Sequence, residues 1–330
     1  MSSILAEGYP NRLEDYRQST KDTKDKHTFV QRALEGNIQE NVLDGWIQKM
    51  ARKENNCDFF IIALVRLLYL GKNVLSEPIK EKIEDALIVF PFWPHTGDTN
   101  VRKFGMPCKN DCVHDNEITF WSENHALMLL SSAHLFRQYI YTYRPAILER
   151  KPTPVCLITE LETVLLLQYL KGHASFEGGV YEVLSHVYLP YTISALLNLI
   201  DFSKVSEVLE TDDIPLETGE GVIPPPQSRN NIQSELIDLA SIVLTRIIKH
   251  VLICTSDTGV VALTASCRTN PTYRQRLYGF NINQLIRLLI GKSPDKFHSS
   301  QLCDHLLTTK WVPGAACYEA FEISDYKQIK

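Results

Sequence analysis

Apolar residues recur at helical spacing through most of this chain. The stretches near 38–52, 57–70, 78–90, 121–143, 155–171, 190–202 and 231–254 each read as a helix with one buried stripe. The clearest stripe is Ile232, Leu236, Leu239, Val243, Ile247 and Val251. A further helix is predicted near 281–291, ending at Gly291 before Pro294. The most apolar run, Phe59 to Val65, is broken by Arg66 and ends at Gly71, well short of the roughly 20 residues that span a bilayer. It reads as a buried helix. Strand signals are scarce: Gly259 to Leu263 and Tyr318 to Ile323 are the candidates, and neither has a hairpin partner. The expected class is mainly α.

The pattern weakens in three places. Residues 1–27 are charged and polar and read as a loosely ordered N-terminal segment, leaving 28–330 as one helical domain. Residues 91–119 carry Pro91, Pro94, Gly97, Gly105 and Pro107 without a sustained period and read as a long loop at the rim of a cleft. Residues 210–230, acidic and then Pro-rich at Pro224-Pro225-Pro226, read as an insertion.

Composition narrows the classes. A chain of 330 residues with 44% hydrophobic content can bury a large core. Charged residues make up 22% without a long single-sign block, as in an ordinary soluble globular protein. The formal net charge of −5 argues against a broadly basic nucleic-acid surface, and no segment is built to enter a membrane. Met1 to Lys26 has no apolar core, so no secretory signal is visible; the 8 cysteines then read as reduced thiols in a cytoplasmic protein. There is no Gly-rich phosphate loop, no Ser-centred nucleophile elbow and no Rossmann fingerprint.

Two short segments carry candidate chemistry. Asn124 and His125 fall in the first turn of the helix after Trp121, where unpaired backbone N–H groups favour anions. An amide there can hold a carboxylate, and an imidazole can exchange a proton near neutral pH. Neighbours on a helix diverge by about 100°, so both line one site only if it wraps the helix end. Tyr188 precedes Pro190, a residue favoured at the first helical position, and so sits at the mouth of the 190–202 helix. Positive helix ends there would lower its phenol's pKa toward a range useful for proton transfer.

The segments Trp121-Ser122-Glu123-Asn124-His125 and Tyr181-Glu182-Val183-Leu184-Ser185-His186-Val187-Tyr188-Leu189-Pro190-Tyr191 resemble those of alginate lyase and heparinase-type polysaccharide lyases of the α/α-toroid fold. The resemblance spans roughly residues 90–205. It implies an incomplete toroid of antiparallel helical hairpins and an anionic oligo- or polysaccharide as partner, with no cofactor. It also implies β-elimination at a uronic-acid residue. Asn124 would neutralise the uronate carboxylate, Tyr188 would act as base and acid, and His125 as a second base or positioning group. Where alginate lyases of this type carry an Arg about two turns before the Tyr, this chain has Glu182, which would repel an anionic sugar. The basic group would then come from Arg268, Arg274 or Arg276, which flank Tyr273. Trp93, Trp121 and Tyr181 are candidates for stacking on sugar rings.

Other readings of the same residues stay open. Asn124 and His125 fit helix capping, and Tyr188 fits a half-buried amphipathic tyrosine. A carboxylate pair drawn from Glu123, Glu177 and Glu182 would instead suit glycoside hydrolysis. A catalytically silent toroid that binds a glycan or a protein is the alternative from a different class. Cys108, Cys112 and His114, with His125 or His134, have a spacing that could hold zinc but lack paired CxxC knuckles, and no metal is assigned.

Overall fold

A computed structural model describes residues 2–22, 28–52, 57–90, 92, 123–150, 161–180, 185, 188–203, 226–255, 282–291 and 302–318. Every regular element among them is an α-helix. In chain order these are α1 (Ser2–Ser19), α2 (Phe29–Leu34), α3 (Glu40–Ala51), α4 (Asp58–Gly71), α5 (Glu77–Ile88) and α6 (Glu123–Tyr143). There follow α7 (Ala146–Arg150), α8 (Leu161–Ser175), α9 (Leu189–Phe202), α10 (Pro226–Ile253), α11 (Asn283–Leu289) and α12 (Cys303–Thr308).

Among the described residues, three helices are buried on all sides and form the interior. Ile61 to Tyr69 of α4, Ala126 to Phe136 of α6 and Leu189 to Leu199 of α9 are buried without a break. All three pack against one another. They run parallel, because they meet at both ends. At their N-terminal ends the ring of Phe59 stacks on His125 and on Tyr191. At their C-terminal ends Tyr69 meets Tyr139 edge-on at 5.6 Å and stacks on Phe202 at 4.7 Å. There Gln138 Nε2 donates to the Tyr69 hydroxyl and to the Phe202 carbonyl, tying the three C-terminal ends into one polar knot.

Parallel helices need connections that run back, and the outer helices supply them. A short turn after Gly71 sends α5 down beside α6: Arg144 pairs with Glu77, Tyr139 donates to Glu84, and Phe92 faces Phe136. On the other side α8 is antiparallel to α6, with Tyr169 donating to the Glu123 carbonyl and Thr163 facing His134. Helix α10 packs on α8 and α9. The stripe expected along it is present: Leu236, Val243, Ile247 and Val251 are buried, and Ile232 and Leu239 pack against the core.

Among the described residues, the interior holds one fully buried cation. Arg66 of α4 is 0% exposed. Its guanidinium donates to Asp201 Oδ2 at 2.6 Å and to Asn198 Oδ1 at 2.8 Å on α9, and to Thr308 Oγ1 at 2.6 Å on α12. Asn198 Nδ2 donates in turn to the Ile62 carbonyl of α4. A charge out of water must be paired and hydrogen-bonded, so this set fixes where α9 and α12 sit along α4.

The N-terminal segment is a correction. Residues 2–19, expected to be loosely held, form α1, which buries Tyr9, Leu13 and Tyr16 at one-turn and two-turn spacing. Two arginines dock it. Arg12 donates to the Leu288 carbonyl at the end of α11, and Arg17 donates to the carbonyls of Leu307 and Thr309 at the end of α12. Each guanidinium satisfies carbonyls that a helix C-terminus leaves open. The short helices α2, α7 and α12 were not foreseen either. Of the two candidate strands, Gly259 to Leu263 lies outside the described residues, and of Tyr318 to Ile323 only Tyr318 is described, at the end of a short helical turn with its N–H on the Ala315 carbonyl. The 91–119 loop, apart from Phe92, and the 210–225 part of the insertion also lie outside them, whereas residues 226–230 open α10.

Gly179, after α8, has φ +74°, and a Cβ there would lie 3.0 Å from the Val243 carbonyl oxygen of α10. Both the left-handed backbone and the close approach call for glycine. Gly179→Ala is expected to lower the unfolding free energy by more than about 1 kcal/mol, read from the urea midpoint.

Candidate functional site

The N-terminal ends of α4, α6 and α9 come together, and each contributes a polar or aromatic side chain. Asp58 is the first residue of α4 and His125 lies in the first turn of α6. Tyr188 is the N-cap of α9, with Tyr191 one turn on. Each placement has a local cause. An acid in the first turn suits the positive helix end, and Pro190 cannot donate a hydrogen bond and so belongs at the start of α9. The Ser185 hydroxyl accepts the Tyr188 N–H, and the Tyr188 carbonyl accepts the Tyr191 N–H, which closes the first turn.

The imidazole Nδ1 of His125 sits against Asp58 Oδ2. The Asp58 side chain is 2% exposed and that of His125 15%, so the pair is enclosed with the imidazole on the outer side. Phe59, next in sequence to Asp58, lies between two rings. It is 3.7 Å from Tyr191 and 5.6 Å from His125, with interplanar angles of 11° and 17°. Burial pushes the Tyr191 phenol well above the ordinary tyrosine range, and the nearby Asp58 carboxylate and Tyr188 add to the shift. Tyr191 is therefore held as a phenol. It can donate a proton or a hydrogen bond at this end of the bundle, and it does not exist as a tyrosinate base near neutral pH.

The residues expected from the sequence divide into three groups. His125 and Tyr188 are at this site, half-buried. Asn124 is beside His125 in the chain but only 1% exposed, turned into the packed interior. Trp93, Trp121, Tyr181, Glu182, Arg268, Tyr273 and Arg274 lie outside the described residues, as do Cys108, Cys112 and His114. Of the carboxylates considered for hydrolysis, Glu123 is half-buried at the start of α6, Glu177 is exposed beyond α8, and Glu182 is outside.

Asp58, Phe59 and Tyr191 were not foreseen as site residues. Asp58 opens an apolar helix, where an acid reads as a response to the helix dipole, and Phe59 and Tyr191 read as core. The only signal was indirect: three mostly apolar runs belong at the centre of a helical protein, so their first turns share an end.

Other features lie away from this end. A surface cavity of about 420 Å³ at the far end of α4 is lined by residues that include Arg17, Gln31, Leu70, Leu307 and Lys310. Among the described residues no group of three or more His, Cys, Asp and Glu side chains is arranged to hold a metal ion, and no helix is long and apolar enough to cross a membrane. No protein-family model, curated protein or solved structure matches the chain.

His134, weighed above as a zinc ligand, is buried between α6 and α8 with Nδ1 2.9 Å from Thr163 Oγ1. Burial takes it from its ordinary 6.5 down to about 4. The unfolded chain then binds a proton that the folded one refuses. The stability it contributes is complete above pH 6.5 and is lost as pH falls through about 4. The urea midpoint should fall across this window, and His134→Gln should flatten that part of the profile.

Proposed function

We propose that this chain is a polysaccharide or oligosaccharide lyase-like protein that performs β-elimination at a uronic-acid residue, on an incomplete α/α toroid. The observation that carries the reading is the convergence of His125, Tyr188 and Tyr191 at one end of three parallel helices. Parallel inner helices joined by antiparallel outer ones fit the inner and outer layers of a toroid. Three helix N-termini at one end favour the carboxylate of an anionic sugar.

In this reading His125 takes the proton from C5 of the uronate. The C–H electron pair becomes the C4=C5 double bond, the C4–O bond breaks, and the departing oxygen takes a proton from the Tyr188 phenol. The phenolate is reprotonated from the imidazolium or from solvent. The roles thus shift from those implied by the resemblance: His125 is the base and Tyr188 the acid. Neutralisation of the carboxylate falls to the helix ends, because Asn124 at 1% exposure does not face an incoming chain. The burial of Asn124 also favours a second reading, a toroid that binds a glycan or protein without cutting it.

The test is incubation with alginate, heparan, chondroitin and glucuronan oligosaccharides while the ultraviolet absorbance of a 4,5-unsaturated uronate is followed. The lyase reading expects a rise with one substrate class and a loss of turnover of about 100-fold or more in both His125→Ala and Tyr188→Phe. A flat trace across the panel with folded wild-type protein supports the silent toroid. Unchanged turnover in Tyr188→Phe removes Tyr188 as the acid.

A further inference from the structure

We infer that Asp58 is the positioning residue for His125, which fixes Nδ1 as the protonated nitrogen and leaves Nε2 as the atom that exchanges protons. The assignment deepens the proposed function and rests on it only for proton exchange at Nε2; the tautomer follows from a carboxylate acceptor facing Nδ1. An ionised carboxylate accepts hydrogen bonds and cannot donate them. Asp58 Oδ2 faces His125 Nδ1, so the hydrogen between them belongs to Nδ1.

Two consecutive residues of α4 hold the imidazole. Asp58 meets its edge and Phe59 lies over its face, 5.6 Å away and 17° from parallel. Ring rotation about either axis would break one of these contacts. The dependence is mutual: a carboxylate 2% exposed needs a hydrogen-bonded partner, and His125 supplies one. Among the described residues, the other titratable groups at this end include Glu123 at the start of α6, the Cys57 thiol just before α4 and the phenols of Tyr188 and Tyr191 on α9. Tyr191 stays protonated and so does not compete for the Nδ1 hydrogen. The orientation of an imidazole held through Nδ1 by a carboxylate no longer has to be found during the reaction.

The tautomer is readable by nitrogen NMR of the full chain carrying ¹⁵N-labelled histidine, with the His125 signals assigned by their loss in His125→Gln. The wild type is expected to show a protonated-type Nδ1 and, in the neutral ring, an unprotonated-type Nε2. In Asp58→Asn the two shifts should move toward the averaged values of an unrestrained imidazole, and Asp58→Glu should restore part of the wild-type pattern. A wild-type Nε2–H tautomer overturns the assignment, and this arm does not depend on any variant folding. So does an unchanged spectrum in folded Asp58→Asn. The expected spectra with a flat uronate panel would leave Asp58 in its role and remove the lyase; the wrong tautomer with active enzyme would do the reverse.

Discussion

A guanidinium with no access to water is the constraint on which the rest of this structure depends. Arg66 is in the middle of the most apolar helix, and it is tolerated there because Asp201, Asn198 and Thr308 meet it from two other helices. Apolar packing alone would let parallel helices slide by a residue or a turn at modest cost, since one leucine-rich surface is much like the next. A buried ion pair allows no such slip, because a shift leaves a charge without its partner. The Asn198 amide on the Ile62 carbonyl reinforces the same register. Burial acts against the Arg66 charge and Asp201 acts for it, so the charge is retained through that contact.

Register at one end determines what meets at the other. With α4 and α9 held at Arg66, Phe59 reaches Tyr191, and with α6 knotted to both through Gln138 and Tyr69, His125 reaches Asp58. The candidate site is therefore built on the ends of the most deeply buried helices, not on loops. That suits proton transfer, in which small displacements of donor and acceptor are costly. The same burial encloses Asn124, which is why a role for it at an open cleft fits this arrangement poorly.

Much of the architecture was legible in the chain. The helical periods at 57–70, 121–143, 190–202 and 231–254 correspond to α4, α6, α9 and α10. What escaped was short or mixed. Tyr9, Leu13 and Tyr16 form a proper stripe, but two of the three are tyrosines set among charges, so α1 looked polar. Its docking depends on Arg12 and Arg17 finding carbonyls nearly three hundred residues away, a contact that no local pattern announces. At the site, His125 and Tyr188 could be named because chemistry-bearing residues stood at helix starts. Asp58 could not, since its partner is set by the packing of α4 against α6.

The most direct measurement is a double-mutant cycle on unfolding free energy between Arg66 and Asp201, using Arg66→Met, Asp201→Leu and the pair together. If the buried pair holds the register, each single variant loses about 3–5 kcal/mol, because one charge or its polar partner is left uncompensated, and the double variant loses far less than the sum. Losses that simply add would contradict the account. They would mean that Arg66 and Asp201 act independently and that packing alone aligns the three helices.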